Sequence, residues 1–227
     1  MMIAGIAPNS FVDYPSKIAM VVFVPGCNYN CWYCHNRQLI KPNDTCVLYS
    51  TSTILSDLER KRDFLDAVVI SGGEPTLQTK LADFAKSIKE LGFLVKLDTN
   101  GSNPSKIKSL LDENLIDYIA MDIKAPFEKY EAVCGKSVDT SIIQESIRII
   151  INHAPEYEFR TTLVPELDKG DIIEIAGYIK GAMRYSIQQY IPTQHTKNIK
   201  PHANSFINEC ANAVSKMVDS VRVLGVK

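Results

Sequence analysis

The stretch Ile18-Ala19-Met20-Val21-Val22-Phe23-Val24-Pro25-Gly26-Cys27 opens with seven apolar residues and stops at a Pro-Gly pair before a cysteine. An unbroken, β-branched run of that length predicts a strand buried on both faces, as in parallel sheets covered by helices. The theme returns at residues 67–70 (AVVI), 93–97 (FLVKL), 118–123 (YIAMDI), 158–164 (EFRTTLV) and 186–191 (SIQQYI), with a last short strand expected within 221–226. Between these runs the spacing changes from strand-like to helical. Residues 81–91 set Leu81, Phe84, Ala85, Ile88 and Leu91 on one face at three-and-four intervals. Residues 53–62, 106–114, 141–152, 172–183 and 203–218 behave similarly, and Pro104 stands where a first helical turn tolerates it.

Strand alternating with helix predicts right-handed βαβ crossovers and an α/β fold with a parallel sheet, in about six units. No linker or low-complexity tract divides the chain, so residues 1–227 are read as one domain. Periodicity leaves two architectures open, a partial (βα)6 barrel and a flat, doubly wound sheet. Both put their active site at the same place, the C-terminal ends of the strands, because every βα loop opens there. The unusual polar residues fall at those ends: Pro25-Gly26-Cys27 after the first strand, Ser71-Gly72-Gly73-Glu74-Pro75 after the second, and Asp98-Thr99-Asn100-Gly101 after the third. Asp122-Ile123-Lys124 follows the fourth, Val164-Pro165-Glu166 the fifth and Pro192-Thr193-Gln194 the sixth.

Of six cysteines, Cys27, Cys31 and Cys34 crowd into eight residues as C-x3-C-x2-C, while Cys46, Cys134 and Cys210 are scattered and read as structural. The first residues do not read as a secretory leader, and on that expectation clustered cysteines point to metal ligation rather than a disulfide framework. Three thiolates are one short of a closed structural site, and a cubane held by three leaves one iron open to a ligand. A zinc site completed by His35 or Cys46 stays possible on the triad alone. The net charge of −1 and pI near 6.4 provide no global field for nucleic acid or an acidic membrane. No run of about 18 apolar residues suggests a membrane span, and the expected location is the cytoplasm.

With these motifs assembled, the chain resembles the radical S-adenosylmethionine (SAM) superfamily, Tyr33 taking the aromatic position of C-x3-C-x-aromatic-C. The His35-Asn36 that follows, and Asp13-Tyr14-Pro15 upstream, resemble activating enzymes of glycyl radical enzymes. Within these, residues 4–36 are most similar to activating proteins of anaerobic ribonucleoside-triphosphate reductase, with pyruvate formate-lyase activating enzymes a close second. The resemblance implies a partial (βα)6 TIM-like radical SAM barrel. It implies one [4Fe-4S] cluster on Cys27, Cys31 and Cys34, and SAM bound by Tyr33, His35, Asn36, Gly72, Gly73, Glu74, Pro75, Asp98, Asn100, Asp122, Lys124, Arg160 and Gln194. Glu74 is expected to balance the SAM ammonium and Lys124 to meet its carboxylate. Departures from the family pattern are Ser16 and Glu166, each where glycine is usual, and Gln194 where a histidine often serves the adenine.

The activity so implied is one-electron cleavage of SAM and formation of a glycyl radical on a partner, anaerobic ribonucleotide reductase being the expected one. Reduced flavodoxin or ferredoxin would supply the electron. Two other readings remain at this stage: a radical SAM enzyme acting on a small molecule, and a non-enzymatic zinc or electron-transfer protein.

Overall fold

The computed structural model describes residues 1–41 and 48–226. Ten strands run β1 (Met2–Ile3), β2 (Gly5–Ser10), β3 (Ala19–Val24), β4 (Tyr49–Ser50), β5 (Ala67–Gly72), β6 (Leu94–Thr99), β7 (Tyr118–Asp122), β8 (Tyr157–Leu163), β9 (Tyr185–Gln189) and β10 (Val221–Leu224). Eight of them form one sheet in the order β10-β9-β8-β7-β6-β5-β3-β2, and β1 pairs with β4 apart from it. From β3 to β10 every pairing is parallel. The expected short strand near the C-terminus is therefore real, and it makes the parallel set seven strands rather than six.

Strand order separates the two architectures. A doubly wound sheet reverses its order at a switch point and carries helices on both faces. Here each parallel strand lies beside its predecessor, always on the same side, so right-handed crossovers place every helix on one face. The cores agree. Helix residues Ile54, Leu58, Phe84, Ile107, Ile147, Ile175 and Ile207 share a single cluster with the outward set Val22, Val68, Val95, Ile119, Phe159 and Ile187. The opposite face forms a smaller cluster of Ala19, Val21, Ala67, Val69, Tyr118, Ala120 and Tyr14, with no helix residue. The sheet is a barrel wall, and it stays open: β10 and β2 end the strand order and do not pair with each other.

The helices are α1 (Arg37–Ile40), α2 (Thr51–Arg60), α3 (Leu81–Glu90), α4 (Pro104–Asp112), α5 (Tyr130–Cys134), α6 (Thr140–His153), α7 (Lys169–Tyr178) and α8 (Asn204–Val214). Their starts are written in side chains. Ser50 caps α2 by accepting from the Thr53 amide at 3.1 Å. Asn103 caps α4 from the Lys106 amide at 3.2 Å, leaving Pro104 at the position where its missing N–H is harmless. Asp168 and Asp171 form a reciprocal capping pair at α7. The antiparallel edge strand β2 carries no sequence signal of its own, because Pro8 interrupts it and its register shifts between Ala7 and Ser10. Ser16, standing where the family has glycine, occupies left-handed backbone at φ 60°, the region that glycine enters without steric cost.

Candidate active site

Six parallel strands, β3 and β5 to β9, and the segments that follow them meet around a cavity of about 240 Å³ that Cys27, Cys31 and Cys34 line together. The cysteine loop is pinned to the Gly-Gly loop backbone to backbone. Gly73 N–H donates to the Val24 carbonyl at 2.8 Å, and Glu74 N–H to the Gly26 carbonyl at 2.7 Å. Side chains complete the seam, Asn36 Nδ2 to the Gly72 carbonyl at 3.3 Å and Gln78 Nε2 to the Pro25 carbonyl at 2.8 Å. No Cβ fits here: one added at Gly73 would lie 2.0 Å from the Gly26 oxygen.

Glu74 lines the cavity and also has a part in holding the loops together. It is 1% exposed, and its carboxylate is taken up by this chain's own donors. Oε1 accepts from Thr76 N, Thr76 Oγ1 and Thr99 Oγ1 at 3.1, 2.6 and 2.7 Å, and Oε2 from the Asn100 amide at 2.7 Å. Burial raises its pKa against the lowering of those bonds. Glu74 is thus a clasp that holds the Asp98-to-Gly101 loop against the Gly-Gly loop, with Oε2 taking a single donor at the cavity wall. Glu74→Gln sets an amide NH2 against one of these donors, so a loss of about 2 kcal/mol is expected. Thermal unfolding measures it, and an unchanged midpoint would refute the clasp.

On the inward face, strand alternation stacks charged side chains in two tiers. Asp98 Oδ1 accepts from Lys96 Nζ at 2.7 Å, and its Oδ2 from Ser71 Oγ at 3.2 Å and Arg160 Nη1 at 3.4 Å. Asp122 accepts from Arg160 Nε and Lys124 Nζ, both at 2.8 Å. Burial alone would raise both carboxyls; for Asp98, Arg160 and Lys96 outweigh it, and for Asp122, Arg160 and Lys124 do, so both are held below the usual range. Lys96, Lys124 and Arg160 are paired with Asp98 and Asp122, and the cavity lining itself carries Lys124 and Arg160 beside Glu74, Asp98 and Asp122. Lys96 is the member that motif reading missed. Its signal was available: a lysine inside an otherwise apolar strand, two residues from Asp98 and therefore on the same face.

Of the other expected residues, Tyr33, His35, Asn36, Gly72, Gly73, Asn100, Lys124 and Arg160 line the cavity. Pro75 does not; it is buried in the short helical turn 75–77 and supports the loop from behind. Gln194 does not either. It is exposed, and β9 instead brings Gln188 and Gln189 to the cavity, because the strand ends at Gln189 and the chain then turns outward. Gln189 Nε2 donates to the His202 carbonyl at 2.6 Å, which fixes Oε1 as an acceptor with no partner among the described residues. Cys46 lies outside the described residues. Cys210 is buried in α8, whereas Cys134 is buried against the triad. Hydrogen bonding with Cys134 lowers the Cys31 thiol to about 7, while burial pushes Cys27 up to about 11 and raises Cys34.

The profile of the Radical SAM superfamily matches residues 21–179. The chain belongs to the radical SAM superfamily. It is 36% identical, over 97% of its length and 94% of the relative's, to a Methanocaldococcus jannaschii protein provisionally named a glycyl-radical enzyme activating enzyme. It is 28% identical to the pyruvate formate-lyase-activating enzyme of Clostridium pasteurianum, covering 88% of this chain and 84% of that one. The fold is shared with Streptococcus suis SuiB bound to S-adenosylmethionine (TM-score 0.69, 14% identity, 90% of this chain and 52% of that one). It is likewise shared with a domain of a pyruvate-formate lyase-activating enzyme from Bacteroides vulgatus (TM-score 0.57, 16% identity, 70% and 99%). This radical SAM chain is an enzyme, and its family implies a [4Fe-4S] cluster and SAM. The cavity fits such a load: beside its three thiols, the buried hydroxyls of Tyr29 and Tyr33 find no hydrogen-bond partner among the described residues. Among those residues no three His, Cys, Asp or Glu side chains are grouped to hold a single metal ion.

Proposed function

We propose that this enzyme activates a glycyl radical enzyme, with anaerobic ribonucleoside-triphosphate reductase as the partner. The observation that carries the reading is the sharing of one cavity by the cysteine triad and the Asp98-Asp122-Lys124-Arg160 tier, in a chain whose relatives bear activating-enzyme names. Cys27, Cys31 and Cys34 would hold the cluster. Lys124 would meet the SAM carboxylate, Asn100 and Asp98 the ribose, and the backbone of Gly72 and Gly73 the amino group. When bound, the cluster would supply the electron for reductive cleavage of SAM, the chemistry that removing a hydrogen atom from a glycine of the partner requires. The protein's own part is to bind, orient and shield. The opening between β10 and β2 suits a substrate delivered as a loop of another protein. Among the described residues no helix is long and apolar enough to cross a membrane. The proposed setting is the cytoplasm, with a reduced flavodoxin or ferredoxin as donor. The alternative partner, pyruvate formate-lyase, is favoured by the Clostridium pasteurianum relative.

The test is anaerobic reconstitution with iron and sulfide, reduction, and addition of SAM with each candidate partner. A glycine-centred doublet in electron paramagnetic resonance identifies the partner. Cys27→Ala, Cys31→Ala and Cys34→Ala are each expected to abolish cluster retention and SAM cleavage. A wild-type protein that takes up no iron, or that leaves SAM intact after reduction, would defeat the reading.

A further inference from the structure

A second cavity, of about 570 Å³, adjoins the first, and Cys27 and Tyr29 line both. The far wall of the second cavity is basic. Arg37, Lys41 and Lys136 line it, and no Asp or Glu does among the described residues. All three cations are exposed. This local excess stands out in a chain whose net charge is −1. It is also assembled from distant segments. Arg37 and Lys41 come from α1 and its end, beside the cysteine loop, whereas Lys136 arrives from α5. There Asn30 N–H donates to the Cys134 carbonyl at 2.9 Å, and Gly135, left-handed at φ 62°, lies so close that a Cβ would sit 2.7 Å from the Asn30 oxygen. That clamp fixes Lys136 at the rim of a groove whose floor contains a cluster ligand.

Resting on the proposed function, we propose that this groove is the docking face for an acidic one-electron carrier protein, delivering its electron through the Cys27 wall. Three features select that occupant. The rim is cationic, so it attracts a partner of opposite charge and accelerates encounter. The groove shares a wall with the triad, and electron transfer falls steeply with distance. It also adjoins the SAM cavity without being part of it, so a carrier can dock while SAM and the partner's glycine loop occupy the other side. In the transfer the carrier loses one electron and the cluster gains it; no proton moves and no bond forms. Contacts of this kind are small and transient, which agrees with three charges around one groove.

The experiment uses the reconstituted holoenzyme and its Lys41→Glu/Lys136→Glu variant, both exposed positions outside the SAM cavity. A photoreduced acidic [2Fe-2S] ferredoxin is the probe, and photoreduced deazariboflavin is the small reference reductant. At low salt the variant is expected to accept electrons from the ferredoxin at least about 10-fold more slowly than wild type. The difference should shrink as salt rises, and deazariboflavin should reduce both proteins equally. Calorimetry should show oxidised ferredoxin binding wild type and losing that binding in the variant. Equal ferredoxin rates, or an equal loss with deazariboflavin, would overturn the assignment. So would a variant that slows glycyl-radical formation even when deazariboflavin supplies the electron, since the groove would then belong to the glycyl-radical partner. Normal electron uptake with no glycyl radical on any partner defeats the proposed function and leaves the groove assignment intact.

Discussion

Gly73→Ala is expected to leave the protein unable to retain a cluster and to cost about 3 kcal/mol of folding stability. The added methyl would lie 2.0 Å from the Gly26 carbonyl oxygen and 2.6 Å from its carbon. The obstacle is backbone, not the end of a flexible side chain, so only movement of the cysteine loop can relieve it. Yet that loop is held from both sides: Gly26 donates to the Leu39 carbonyl at 2.7 Å and accepts from Glu74 N–H at 2.7 Å. Any displacement large enough to admit the methyl breaks the seam next to Cys27 and spreads the triad. Gly92→Ala is the control. It has a left-handed φ of 91° but nothing within 4 Å of the new Cβ, so it should cost only the conformational strain of about 1 kcal/mol and load normally. Iron and sulfide per chain after anaerobic reconstitution, with thermal midpoints for all three proteins, decide the matter. A Gly73→Ala protein loading iron like wild type would show that the seam does not position the ligands.

The position of the site was legible because each polar motif terminates an apolar run, and strand ends in a parallel sheet share an edge. Residues with a local signature line the shared cavity: the triad cysteines, Gly72 and Gly73, Asp122 and Lys124. What the sequence hid was the third dimension. The clasp made by Glu74 was hidden because its four donors come from Thr76, Thr99 and Asn100, two of which lie 25 and 26 residues away. Gln194 was favoured by its place after the sixth apolar run, but a strand end cannot be fixed by pattern to better than a few residues, and here Gln188 and Gln189 take the cavity. Lys136 gave no sign at all, since only the packing of Gly135 on Asn30 brings it beside the cysteine loop. The seventh parallel strand and the edge strand β2 were weak for a shared reason. Both end the sheet, where half-exposed residues dilute the apolar signal.

Asp122→Asn is expected to weaken SAM binding by about tenfold, the loss of one hydrogen bond to a charged group, and to destabilise the fold by about 2–3 kcal/mol at neutral pH. Removing one partner of a buried ion pair costs about 3–5 kcal/mol; the Asp122 side chain keeps 29% of its surface exposed, and water there lowers the expected cost. The carboxylate anchors two cations, Arg160 through Oδ1 and Lys124 through Oδ2. An amide accepts from one of them and turns its NH2 toward the other, so Lys124 or Arg160 is released, and with it the geometry that would receive the SAM carboxylate. The pH dependence distinguishes this from a general loss of packing. In wild type the Asp122 carboxyl titrates below its unfolded value of about 3.9. Its stabilisation is therefore fully present above about pH 4 and lost as pH falls through the folded value. The variant lacks that group, so the stability gap between the two proteins should be constant from neutral pH down to about pH 4 and close below it. Urea unfolding across that range, beside calorimetric SAM binding to the reconstituted proteins, provides both readings. A gap that persists undiminished in acid would mean that the network stabilises by shape and not by charge.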